Sequence, residues 1–319
     1  LTRQSLESCQ VLVYLAAVIL GLVLGANLPS WMGVLGVLLW PLLGMLLYAT
    51  FTQVPLSHLR EAFRDARFVS AAVTGNFAVL PFVVWGLVAA APDDPAVRLG
   101  VLLVLLVPCT DWFITFTHLG GGDTKHAIVF SPISLLLQVM LLPVYLWLFL
   151  GEIFTTVIAQ QEMLIAFSGL ILLPLLAAFL TEKWAAKSPS VAAFVRLLTW
   201  FPVPLLAIVL FAIAATQVGL VMESIGLLWQ LLVVFVAFLV VASVIARILA
   251  RAFKLPATQG RVLAFSFGTR NSFVVLPLAL ALPSSFELAV VAIVFQSLVE
   301  LVGMVVYLWW VPNKLFPVK

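Results

Sequence analysis

The chain has 319 residues, 64% of them hydrophobic and 9% charged, with a net charge of +3 and a mean hydropathy of +1.24. Soluble domains carry about 45–50% apolar and about 25% charged residues, so this composition excludes a water-soluble globular protein and leaves no room for a nucleotide-hydrolysing, DNA-binding or extracellular domain within these residues. The basic residues are scattered through connectors and read as topology signals, which removes a nucleic-acid partner. Cys9 and Cys109 are too few for a disulfide framework or a four-ligand zinc site, so no metal and no cofactor is expected.

A bilayer crossing needs about 20 mostly apolar residues. Apolar windows run over 11–26, 31–51, 69–91, 99–119 and 127–150, and again over 163–180, 197–215, 227–250, 262–281 and 288–311. The sequence therefore predicts an all-α integral membrane protein with ten transmembrane helices. The first window reads as a span and not as a cleaved leader, because it lacks a small-residue cleavage pattern and is one of ten alike. Ten crossings put both ends and every even-numbered connector on one side, and fourteen of the sixteen basic residues fall there. They include Arg60, Arg64 and Arg67 after the second window, Lys125 after the fourth, and Lys183, Lys187 and Arg196 after the sixth. The opposite side receives only Arg98 among Asp93, Asp94, Glu152, Glu162, Glu223 and Glu287. Basic residues stay cytoplasmic, so both termini are expected in the cytoplasm of a cell (plasma or inner) membrane protein. Gln53 to Arg67 reads as a short amphipathic surface helix, or equally as a plain connector.

An odd number of crossings reverses the starting side, so two halves of five helices, 1–151 and 152–319, insert in opposite senses. An inverted five-plus-five repeat is thus allowed, and interrupted helices in corresponding positions of such repeats point to a binding site at the bilayer midplane. Two windows are interrupted by polar residues: the fourth at Pro108, Cys109, Thr110 and Asp111, the ninth at Gly268, Thr269, Arg270, Asn271 and Ser272. These discontinuous helices are the fourth of each half, and the site is expected where they approach each other. A charge at the bilayer centre costs at least ~2.5–3.5 kcal/mol, so Asp111 and Arg270 are expected to pair, either to tie the broken helices together or to serve an oxyanion or polar hydroxide. Glu300 in the last helix is a candidate proton carrier. Asn76, Ser131, Ser134 and Gln138 add neutral hydrogen-bond partners or helix-packing contacts. Cys109 reads as a small buried hydrophobe, or as a single thiol able to engage a thiophilic solute reversibly, which suits transit better than storage. Gly120 to Gly122 lacks the ending of a phosphate loop and reads as a turn, and every lysine lies outside the spans, so an intramembrane enzyme is not expected.

The stretch PCTDWFITFTHLGGGD at 108–123 resembles the fourth helix of arsenite efflux permeases of the arsenical-resistance type, within the bile acid/sodium symporter superfamily. The connector QVPLSHLREAFRDARF at 53–68, the Gly75 and Asn76 pair, TRNSF at 269–273 and Leu298 to Glu300 look like further landmarks in the same order, so the likeness covers most of the chain. The resemblance implies a core of helices 3–5 and 8–10 in which the fourth and ninth cross, a panel of helices 1, 2, 6 and 7, and export of arsenite coupled to protons. By position, Cys109 matches the cysteine such permeases need and Glu300 an acidic residue of their last helix. The chain departs from the pattern at Val274, where a glutamate is usual, and at Asp111 and Arg270, where small uncharged residues are usual. Ser266 and Arg270 stand where sodium-coupled relatives carry a glutamate and a glutamine, so sodium-independent transport is expected.

The combined reading is a secondary transporter with substrate contacts from Asn76, Cys109, Thr110, Arg270, Asn271 and Ser272 and charge or proton handling by Asp111 and Glu300. Its partners are a small solute, protons and the bilayer. A carrier of another small organic or inorganic anion is the alternative within transport, and a membrane receptor that binds without translocating is the alternative from another class.

Overall fold

The computed structural model describes residues 3–54, 65–150 and 165–317, and those residues form helices without a β-strand. Most of the surface helix expected across Gln53 to Arg67, and the connector holding Glu152 and Glu162, lie outside the described residues. In chain order the helices are α1 (Arg3–Asn27), α2 (Met32–Phe51), α3 (Ala66–Ala89), α4 (Pro95–Leu106), α5 (Trp112–Leu119), α6 (Thr124–Leu150) and α7 (Phe167–Ala185). There follow α8 (Pro189–Leu198), α9 (Pro202–Thr216), α10 (Val218–Glu223), α11 (Ile225–Ala252), α12 (Ala257–Gly268), α13 (Ser272–Leu280) and α14 (Glu287–Trp310). Among the described residues, six helices are long and apolar enough to cross a bilayer, and α8 with α9, bent by 43°, makes a seventh. Each interrupted window is split into two helices that are too short to cross a bilayer singly. Trp85, Met140 and Val233 are more than half exposed on spanning helices, the arrangement expected where hydrocarbon is the solvent.

The chain divides into two compact units. The first comprises 1–53, 160–227 and 276–282. Within it, α1 packs on α9 through Gly21 and Gly25, one helical turn apart. A Cβ at Gly21 would lie 2.4 Å from the Phe211 carbonyl oxygen, and one at Gly25 2.2 Å from that of Ala215. Only glycine permits this approach, which in a membrane replaces the missing hydrophobic drive with close backbone packing.

The second unit comprises 54–159, 228–275 and 283–319. Both interruptions have local causes. Val107 precedes Pro108 and takes extended backbone (φ −106°, ψ 107°), which ends α4 at Leu106. Thr269, after Gly268, is likewise extended (φ −102°, ψ 139°) and ends α12. At one end of this unit the starts of α3, α6 and α12 converge. Asp65 caps α3 by accepting from the Phe68 amide (3.1 Å), and its other oxygen accepts from Gln259 (3.0 Å) and faces His126 Nε2 at 3.1 Å. His126 Nδ1 lies 2.8 Å from Asp123. Beside them the buried Arg261 donates to the carbonyls of Gly120, Gly121, Pro312 and Phe316, closing the end of α5 against the segment after α14.

Burial pushes the Asp65 carboxyl up, but its hydrogen bonds to Phe68 and Gln259 and the neighbouring His126 outweigh that and hold it below its ordinary value. The carboxylate therefore contributes stability that is present above the ordinary carboxylate range and is lost as pH falls through the lowered value. Asp65→Asn is expected to lower the unfolding temperature at neutral pH and to lower it by progressively less as pH falls through the depressed carboxyl value, as read by thermal unfolding in detergent across that range. Gly25→Leu is expected to separate α1 from α9, seen as a fall in unfolding temperature that Gly86→Leu, which faces open space, does not produce.

Candidate functional site

The site lies wholly within the second unit, where the two extended segments cross antiparallel. Pro108 and Arg270 form an isolated bridge, the Cys109 amide donates to the Thr269 carbonyl (3.2 Å), and the Asn271 amide donates to the Val107 carbonyl (2.8 Å). Backbone groups released by the two helix breaks are thus satisfied by each other, as a water-poor interior demands. Asn271 Nδ2 donates to Thr110 Oγ1 (3.4 Å), and Ser131 on α6 donates to the Thr110 carbonyl. All eight site residues expected from sequence come together at or beside this crossing, and seven of them are buried, Asp111 being partly exposed.

The expected Asp111–Arg270 ion pair is not what the protein builds. Arg270 is 2% exposed. Its Nη2 donates to the Phe267 carbonyl at the end of α12 (2.6 Å) and to Asn76 Oδ1 (3.3 Å), and its guanidinium carbon sits 4.9 Å from the centre of the Phe238 ring. Nε and Nη1 have no hydrogen bond among the described residues. The side chain has turned back along its own helix, where unsatisfied carbonyls and the negative end of the helix dipole favour a cation. Asp111 stands at the start of α5, where the dipole favours an anion, and its Oδ1 accepts from the Cys109 thiol at 3.1 Å. Each charge is met by the end of a broken helix, so neither needs the other.

Glu300 engages the crossing through the backbone of Arg270. Its Oε2 accepts from the Arg270 amide (2.8 Å) and from Gln296 Nε2 (2.8 Å), and Ser272 donates to Gln296 Oε1 (3.2 Å). Sequence reasoning missed Gln296, although its position one turn before Glu300 on the same helix face was available as a signal. It also missed Phe238, which nothing local distinguishes from other lipid-span phenylalanines. Asn76 is placed by a π-helical turn over Gly75–Val79. Gly75 abuts the Phe267 ring so closely that a Cβ would fall 1.8 Å from it, and Asn76 then reaches Ser266 Oγ (2.9 Å) as well as Arg270. Tyr145 donates its hydroxyl to the Phe77 carbonyl inside that turn (2.5 Å), and Tyr307 donates to the Leu239 carbonyl in the same manner.

A family model described as the sodium bile acid symporter family matches residues 40–224, more than half of the chain. No curated protein matches the sequence.

Removing the Glu300 acceptor leaves the Arg270 amide and the Gln296 side chain without a partner in a buried place. Glu300→Leu is expected to cost about 3 kcal/mol, whereas Glu300→Gln keeps an acceptor and costs less than half of that. Thermal unfolding of the two variants in detergent measures the difference; equal losses would contradict the hydrogen-bond assignment.

Proposed function

The chain belongs to the sodium bile acid symporter family, a family of membrane transporters, and we propose that this multi-pass protein exports arsenite in exchange for protons. One observation carries the reading: a buried thiol, Cys109, donating to a carboxylate, Asp111, at the meeting point of two broken helices. Trihydroxy arsenic(III) is thiophilic. The Cys109 sulfur forms a bond to arsenic as one As–O bond breaks, and Asp111 takes the thiol proton and passes it to the departing hydroxide, which leaves as water; the reverse exchange releases the solute. One sulfur makes the bond reversible, where three would hold the metalloid too tightly to release it.

In this reading Arg270 Nε and Nη1 and the side chains of Asn271, Thr110 and Ser272 orient the oxygens of the solute, Asn76 holds the guanidinium in position, and Glu300 carries the exchanged proton. Ten crossings with cytoplasmic termini, supported by the bias of basic residues, put the crossing near the bilayer midplane. Alternating access then uses the core of helices 3–5 and 8–10 and the panel of helices 1, 2, 6 and 7 as the moving bodies. Sodium is not required in this reading, since Ser266 and Arg270 stand where sodium-coupled relatives carry a glutamate and a glutamine, and a fixed guanidinium repels a cation. The second reading, a carrier of a small anion, is favoured by the two unmatched nitrogens of Arg270.

Everted membrane vesicles with an imposed proton gradient are expected to accumulate arsenite, unchanged when potassium replaces sodium. Cys109→Ser is expected to lower the initial rate at least ~10-fold, the loss of one transition-state contact of about 1.4 kcal/mol or more. Vesicles containing correctly inserted protein that accumulate no arsenite would remove this reading, and wild-type rates in Cys109→Ser would transfer the site to the anion alternative.

A further inference from the structure

The hydrogen bonds on the two sides of the crossing repeat at one fixed separation. Pro108 bridges Arg270, 162 positions later; the bond from Cys109 to Thr269 has its counterpart in the bond from Asn271 to Val107, and Tyr145 to Phe77 has its counterpart in Tyr307 to Leu239, each shifted by 162. The limits of α4, Pro95–Leu106, shifted by the same amount, are those of α12, Ala257–Gly268. In this register Thr110 answers to Ser272, Ser134 to Gln296, and Gln138 to Glu300.

The two sides share this skeleton but differ in how their polar groups are used. On the second side the set is closed: Ser272 donates to Gln296, Gln296 to Glu300, and Glu300 also accepts from the Arg270 amide. On the first side Ser134 Oγ and both heteroatoms of the Gln138 side chain have no hydrogen-bond partner among the described residues, although Ser134 is 0% and Gln138 2% exposed. Ser131, Ser134 and Gln138 share one face of α6 by their spacing, and Ser131 on that face reaches Thr110 at the crossing. A buried carboxamide and hydroxyl without partners are costly, and such groups in a membrane interior mark a place where something else completes the bonds.

We infer that Ser134 and Gln138 form a hydrogen-bonding subsite for an uncharged, hydroxyl-bearing solute. The carboxamide offers a donor and an acceptor side by side, and the serine offers both from one atom. A hydroxyl group, which also donates and accepts, satisfies all of them. An anion has only acceptors and would meet Gln138 Oε1 with repulsion; an ammonium-type cation has only donors and would leave Gln138 Nε2 unmatched. The subsite rests on the transport reading and names its solute class: neutral trihydroxy arsenic(III) fits, and an organic anion does not.

The test uses the full chain in detergent or nanodiscs, with arsenous acid, boric acid and glycerol as neutral hydroxyl-bearing probes and phosphate and benzoate as anionic ones. Arsenous and boric acids are expected to raise the unfolding temperature of the wild type, and Gln138→Leu and Ser134→Ala each to remove that rise. Without probe, Gln138→Leu is expected to unfold at or above the wild-type temperature, since it removes an unmatched buried amide. In vesicles Gln138→Leu is expected to raise the KM for arsenite at least ~10-fold with a maximal rate within about twofold of the wild type. A rise that survives in both variants, or a wild type stabilised by no neutral probe, overturns the subsite. A boric acid response that depends on Gln138 in a protein that moves no arsenite keeps the subsite and removes the arsenite reading; arsenite transport indifferent to Gln138 does the opposite.

Discussion

The antiparallel pairing of two extended segments, Val107 to Cys109 with Thr269 to Asn271, is the constraint on which the second unit depends. A helix break inside a membrane exposes amides and carbonyls that hydrocarbon cannot satisfy, and the segments must find partners or not break at all. Each break supplies the other's partners. That mutual dependence explains why the interruptions meet, and why Thr110, Ser131 and Asn271 gather around them with further hydrogen bonds.

The crossing also sets the electrostatics. Two broken helices present four helix ends to the same place, and the charges sit at two of them, a carbonyl end at Gly268 and an amide end at Trp112. Arg270 takes the first and Asp111 the second, so each charge stands at the helix end whose backbone dipole favours its sign. This leaves Asp111 available to the Cys109 thiol and leaves two guanidinium nitrogens unmatched. Glu300, held by the Arg270 amide and Gln296, links the last helix to the same backbone. Chemistry and architecture therefore use the same few residues, and the groups that would bind a solute are also those that hold the crossing together.

Much of the site was legible in the chain. Residues that hydrocarbon rejects are rare in these windows, so Cys109, Asp111, Arg270 and Glu300 stand out without any structure, and their location beside Pro108 and Gly268 identifies the breaks. The partners were less legible. Opposite charges suggested an Asp111–Arg270 pair, but the direction of the arginine side chain depends on the carbonyls of its own helix end and on the face of Phe238, neither of which a list of residue types reveals. Gln296 and the π-helical turn that aims Asn76 went unnoticed for a related reason: an ordinary apolar helix pattern continues through both.

The sequence by itself determined that the chain is a helical membrane protein, where its apolar segments lie, and where two of them must open. These are consequences of hydropathy over about 20 residues and of proline and glycine acting on their immediate neighbours. Tertiary structure alone decided which polar groups meet, because the partners lie about 160 residues apart and their contacts depend on the angle and register at which two extended strands cross. It decided as well that Gln138 and Ser134 are left unmatched while their counterparts Glu300 and Gln296 are not. Composition can place a polar residue in a membrane, but only the packed neighbours determine whether its hydrogen bonds are already used.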